Sequence, residues 1–289
     1  MQDEKKDGET ELPPTEMIYY SYEGNFELEC VAKLLAFVKQ EECKDGKTVA
    51  EIHLDRTVMH AQGGGQPTDT GRITCVHDEK EVSISVEKVL LNRETGIATH
   101  KGTVAIAGDN ASATSEAFCI PVGTKVNVLV DANKRRILSE CHTAGHVVDS
   151  AMAKCGRLMK PSKAYHFLEG PYVEYRGEIP ADERPAVLEE LKAAFKELVE
   201  EDIPTKIETL SQEQAHEVCN RIADNFDMKD FGGTEEGGVD IRVVTVAGFP
   251  CPCGGTHVRS TGDLKERGWG ITGLKCKKGV VRVKYGQNV

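Results

Sequence analysis

The chain has 289 residues, 39% of them hydrophobic, and a formal net charge of -11. That length supports full apolar cores without disulfide staples, and its ten cysteines are scattered rather than dense, which fits a reducing compartment. No apolar run approaches the roughly 20 residues of a membrane span, and the acidic start lacks the apolar stretch of a secretory leader, so a cytoplasmic protein with no membrane partner is expected.

Residues 1–16 carry six acids and two bases, a net of -4, together with Pro13 and Pro14, and read as a disordered acidic tail. From 17 to 130 short strands alternate with turns: 27–39, 48–54, 71–76, 81–90 and 125–130, a spacing that predicts an all-β, barrel-like domain. The segments 41–46 and 107–117 read as a hairpin loop and a longer polar loop. Directly after the second strand region comes Gly63-Gly64-Gly65-Gln66-Pro67-Thr68-Asp69-Thr70-Gly71.

At Asp131, a candidate N-cap, the period changes. Ile137, Leu138, Cys141, Ala144, Val148, Ala151, Met152 and Cys155 form a helical stripe that Gly156 stops. That stripe is core. Asp149 is read as an exposed helix carboxylate, with an imidazole partner as the alternative. A strand pair at 164–168 and 172–176 follows, then helices at 181–201 and from Ser211. Strands at 241–246, 269–277 and 280–285 are expected in one antiparallel sheet, which makes 131–289 an α+β domain with helices packed on a sheet.

Within this second region His142-x-x-x-His146 places two imidazoles one helical turn apart on one face, and Cys253-Gly254-Gly255-Thr256-His257 repeats the spacing on a glycine-bent segment. Cysteine and histidine are ligands that zinc takes in tetrahedral sites, so His142, His146, Cys253 and His257 form a candidate four-ligand set. Cys251 is the rival ligand, and a packed thiol is its other reading. The helix lacks the glutamate of a zinc peptidase motif, because Thr143 stands in that place.

Taken in order, GGGQPTDTG, HTAGH and CGGTH make the chain similar to the alanyl-tRNA editing proteins, freestanding relatives of the editing domain of alanyl-tRNA synthetase, over roughly residues 17 to 289. The resemblance implies a zinc-dependent deacylase that removes serine, or glycine, wrongly attached to tRNA(Ala). It implies Zn2+ on His142, His146, Cys253 and His257, and the loop of Gly63, Gly64, Gly65 and Gln66 beside the aminoacyl pocket. Gln66 and Thr256 are then candidates for contacting the ester. The chain departs from the family at His60-Ala61-Gln62, ahead of the glycines, and at Gly145, a substrate-side position where many relatives carry threonine. Editing of tRNA(Thr) and a non-catalytic RNA-binding module with a structural zinc are the alternatives.

Charge is unevenly spread. Residues 178–217 hold twelve acids and four bases, a net of -8, whereas 259–289 hold eight bases and two acids, a net of +6. Phosphate binding responds to local charge, so Lys275, Lys277, Lys278, Arg282 and Lys284 form a candidate tRNA footprint, with a lysine-protected edge strand as the other reading.

Overall fold

A computed structural model describes residues 12–40, 48–107, 118–221, 225–231 and 240–289. The hairpin loop at 41–46, nearly all of the loop at 107–117 and most of the acidic tail lie outside the described residues. The strands are β1 (Glu16–Met17), β2 (Glu29–Lys39), β3 (Val49–Leu54), β4 (Arg56–Thr57), β5 (Gly71–His77), β6 (Lys80–Leu91), β7 (Ala98–Ile106), β8 (Lys125–Val130), β9 (Lys160–Tyr165), β10 (Tyr172–Arg176), β11 (Lys206–Leu210), β12 (Ile241–Val246), β13 (Phe249–Pro252), β14 (Gly270–Lys277) and β15 (Val280–Gly286). The helices are α1 (Ala132–Lys154), α2 (Arg184–Glu200) and α3 (Gln212–Cys219). Among the described residues no helix is long and apolar enough to cross a membrane.

Six strands close into a barrel in the order β2-β3-β7-β6-β5-β8. Alternation drives it: Ile52 and Leu54 of β3, Ile73 of β5, Val82, Ile84 and Val86 of β6 and Val126 and Val128 of β8 all turn inward and lose their solvent exposure. The strand β7 escaped the sequence reading because two of its inward positions are His100 and Gly102, which dilute the apolar period. His100 is a satisfied core histidine, bonded to Thr57 Oγ1 at 2.9 Å and to the Ile52 carbonyl at 3.2 Å. Thr15, placed in the tail by the sequence, is buried, and its hydroxyl donates to the Leu54 carbonyl.

Among the described residues that follow the barrel, α1 packs against α2, against β10 and β15 of the four-stranded sheet β14-β15-β10-β9, and against β12 and β13 of the three-stranded sheet β11-β12-β13. The expectation that 241–246 pairs with the last two strands is therefore corrected. Both edges of β12 are taken by β11 and β13, and β13 carries Pro250 and Pro252, which an edge strand tolerates. The strand expected at 164–168 lies earlier, at Lys160–Tyr165, with Pro161 inside it opposite Tyr175. Beyond it the backbone leaves the ladder, because the His166 N–H donates to the Gly65 carbonyl at 2.9 Å. The second helix begins at Arg184 rather than 181 and has proline in its first turn, while Ser211 and Gln214 form the reciprocal cap of α3.

Asp131 caps α1 as expected, its side chain accepting from the Lys134 N–H at 3.1 Å. The helix is joined to the barrel at the same end. The Asp131 N–H donates to the Thr70 carbonyl at 2.8 Å, and buried Arg135 pairs with buried Asp69 while donating to the Val58 carbonyl at 2.5 Å. A buried pair of this kind fixes orientation, since breaking it strands a charge away from water. The Gly63–Gln66 turn is thereby held against α1.

Candidate metal centre

His142 and His146 lie one turn apart on α1 with ring centroids 5.1 Å apart, and the segment leaving β13 brings Cys253 and His257 against them. One ligand atom from each of the four lies within 4.8 Å of the others. Cys253 Sγ stands 3.5 Å from His142 Nε2 and 3.3 Å from His257 Nε2. Tetrahedral zinc with its usual bond lengths sets a nitrogen–sulfur separation of about 3.6 Å, so the spacing fits such an ion. Three imidazoles and one thiol also make the borderline-to-soft donor set that zinc favours over magnesium or calcium.

The supporting bonds are as informative as the cluster. Gln66 Oε1 lies 2.6 Å from His142 Nδ1 and also accepts from the Thr256 N–H at 2.9 Å, while Gln66 Nε2 donates to Thr256 Oγ1 at 2.9 Å. Thr256 Oγ1 is bonded in turn to Ser139 Oγ at 2.7 Å. Gln66 and Thr256 are both fully buried. The geometry thus spends them on each other and on His142, turning its Nε2 towards Cys253, where the sequence reading had them facing an ester. Thr143 Oγ1 does the same for His257, lying 3.2 Å from Nδ1. Asn25 clamps the His257 backbone from both sides, accepting from its N–H at 3.0 Å and donating to its carbonyl at 2.8 Å.

Burial, reinforced by neighbouring histidines, holds His142 and His257 well below the usual imidazole range, and burial with the Arg242 charge lowers His146 to about 4. All three rings are neutral at neutral pH and keep a lone pair for a ligand. Burial raises the Cys253 thiol, and Arg242 opposes that shift. This guanidinium donates to the Tyr20 carbonyl at 2.8 Å and the Cys253 carbonyl at 2.5 Å. Cys251 lies outside the four-residue group, with its sulfur 3.3 Å from His146 Nδ1. Asp149 is neither exposed nor bonded to an imidazole: it is half-buried and accepts from the Tyr175 hydroxyl at 2.5 Å.

Two glycines make the close packing possible. A Cβ on Gly255 would run into the His142 ring and the Gln66 side chain, and Gly65, in the left-handed region at φ 80°, would press on the Ala164 carbonyl at 2.6 Å. Gly64 is also left-handed but faces open space, and Gly63 only bridges to Gln66. Gly145 is not open to a substrate, because the His166 ring and the Tyr285 hydroxyl occupy the place of its side chain. His166 stacks on His142 at 4.2 Å, and its Nδ1 is bonded to Tyr285 at 2.6 Å. Lys275, Lys277 and Lys278 are exposed on the last hairpin, away from α1, and Arg282 is already paired with Glu174 at 2.5 Å. The sequence reading missed Asn25, Ser139, Arg242 and His166 because only tertiary contacts bring them in. Thr143, next to His142 on the helix, was the one with a local signal.

Residues 241–283 match the family described as the threonyl and alanyl tRNA synthetase second additional domain, a segment that runs from β12 into β15 and includes Cys253 and His257. The chain is similar to the alanine–tRNA ligase of Streptomyces avermitilis, 29% identical over 74% of this chain and 21% of the ligase. It is 27% identical to that of Halobacterium salinarum over 88% of this chain and 24% of the ligase. The alanine–tRNA ligase of Methanothermobacter thermautotrophicus is also 27% identical, over 90% of this chain and 26% of the ligase. The chain thus spans about a quarter of the length of the curated relatives it matches. With the domain match at 241–283 and similarity to alanyl-tRNA synthetases over most of its length, the chain is an alanyl-tRNA synthetase editing-domain-like protein.

Proposed function

We propose that this chain is a trans-acting, zinc-dependent aminoacyl-tRNA deacylase, which hydrolyses the ester joining serine, or glycine, to wrongly charged tRNA(Ala). In this reading it has two domains, the barrel at 17–130 and the editing domain at 131–289, and works in the cytoplasm. The carrying observation is the buried group of His142, His146, Cys253 and His257, half of which falls in the matched segment. The chemical need is plain: a pocket built for alanine cannot strongly exclude glycine or a side chain that adds only a hydroxyl, so a second hydrolytic site is required.

Zinc on these four residues would supply Lewis acidity towards the ester carbonyl or a hydrolytic water, or a fixed point that orients the substrate amine. The chain's own contribution is orientation. Gln66 fixes the His142 ring, Thr143 fixes His257, and the Asn25 clamp holds the segment between Cys253 and Val258. Burial excludes bulk water and keeps the imidazoles neutral. Among the described residues no carboxylate bonds to any of the four side chains, so none is assigned as general base. The backbone of Gly63 to Gly65 is the candidate contact for the terminal ribose.

Mischarged tRNA(Thr) is the second reading, because the matched family covers threonyl as well as alanyl synthetases. Deacylation of Ser-tRNA(Ala), with Ala-tRNA(Ala) and Ser-tRNA(Thr) as controls, separates the two. Selective hydrolysis of the first supports the alanine reading, hydrolysis of the third supports the alternative, and no hydrolysis of either sinks the deacylase.

A further inference from the structure

The basic residues near the C-terminus belong to a larger surface that the sequence does not reveal. In the sheet β14-β15-β10-β9, Val281, Val283, Tyr285, Val173 and Tyr175 face the core, so the register turns the alternate residues outward. The outward set holds Lys275, Lys277, Arg282, Lys284, Arg176, Lys163 and Lys160, seven bases, against one acid, Glu174. This face is strongly cationic on a chain whose net charge is -11.

At its edge stands an aromatic ladder. Tyr165 is directly opposite Tyr172 on the same face, their rings stacked with centroids 5.4 Å apart. Phe167 continues the stack on Tyr165 at 4.6 Å, tilted by only 12°. At the other end the Arg282 guanidinium lies 4.0 Å above the Tyr172 ring, with Lys163 6.0 Å from the same ring. The Arg282 end is closed. The Phe167 end is partly exposed, and among the described residues no second ring or cation caps it. His166, between Tyr165 and Phe167 in sequence, turns the other way and stacks on His142 at 4.2 Å. The ladder therefore ends one residue from the side chain that abuts the candidate metal centre.

We propose that this face is a single-stranded RNA platform, in which the lysines hold phosphates and an unpaired base near the 3′ end stacks on Phe167, delivering the terminal ester to the centre behind His166. Cationic sheet faces with exposed aromatic rings take unpaired nucleotides in this way, because every base has a π face while phosphate contacts are sequence-independent. The assignment rests on the deacylase reading for the identity of the RNA, but not for its test.

The test is equilibrium binding by the full chain of two labelled RNA hairpins, one with an unpaired 3′ extension and one trimmed blunt, at several salt concentrations. The wild-type chain is expected to bind the extended hairpin about tenfold more tightly, the size of one stacked base. Phe167→Leu, which keeps apolar volume but removes the aromatic face, should erase that preference and leave blunt-hairpin binding unchanged. Lys163→Glu should weaken both hairpins alike and lower the log–log salt slope by roughly one. Zinc content and thermal unfolding check that each variant is folded. If the wild-type chain binds both hairpins equally, or Phe167→Leu keeps the preference, the platform is wrong. Wild-type preference for the extended RNA without any deacylation would refute the enzymatic reading and still support this one.

Discussion

Replacing Gln66 by leucine tests the arrangement of the centre at its most loaded point. The side chain is fully buried, and its Oε1 accepts from His142 Nδ1 at 2.6 Å and from the Thr256 N–H at 2.9 Å. Leucine leaves both donors buried and unpaired, at about 1–3 kcal/mol each, so a stability loss of roughly 2–6 kcal/mol is expected. The His142 ring also loses the bond that selects its tautomer, and removing such an outer partner lowers metal affinity by about 10- to 100-fold, roughly 1.4–2.8 kcal/mol. Gln66→Glu keeps both acceptor contacts and loses only the donation to Thr256 Oγ1, which retains Ser139. It should therefore bind zinc more tightly than Gln66→Leu. Competition with a chromophoric chelator reads the affinity, and urea unfolding followed through Trp269, the single, buried tryptophan, reads the stability. A leucine variant with wild-type zinc affinity and urea midpoint would refute the claim that Gln66 holds His142.

Cys253→Ala should lose zinc by elemental analysis, whereas Cys251→Ala should retain one equivalent; full zinc in the first variant would defeat the ligand assignment. Gly145→Ala would force a methyl group into the His166 ring and within 2.9 Å of the Tyr285 hydroxyl, for an overpacking cost of about 1–3 kcal/mol in urea unfolding. Burial raises the Asp149 carboxyl from 3.8 to about 7, with the Tyr175 hydroxyl opposing the shift. The folded chain then binds the proton more tightly than the unfolded chain. The associated stability is complete below about pH 4 and is lost as pH rises towards 7, so unfolding curves of Asp149→Asn should lack that part of the slope.

What the sequence made legible was local. The helical period and the Asp131 cap located α1, and the two four-residue spacings, one on α1 and one in the loop after β13, picked out the cluster, because each signal lies within a short local stretch of chain. The strand β7 was hidden by His100 and Gly102 at inward positions, and β9 was displaced because Pro161 reads as a strand breaker. The sheet partner of β12 could not be read at all, since pairing with β11 and β13 depends on chain segments far apart in sequence. The same limit explains Gln66 and Thr256. Their residue types suited contact with an ester, and only the 190-residue separation closed by their hydrogen bond shows that they face each other. The basic run likewise gives no sign of the partner of Arg282, because Glu174 reaches it only through the pairing of β10 with β15.

Zinc-dependent deacylation is tested most directly by single-turnover hydrolysis of Ser-tRNA(Ala) by the zinc-loaded chain, run beside Ala-tRNA(Ala) and beside the Cys253→Ala variant. Rapid release of serine, little release of alanine, and loss of serine release with loss of metal are expected. Serine release that persists undiminished in a zinc-free Cys253→Ala chain would contradict it.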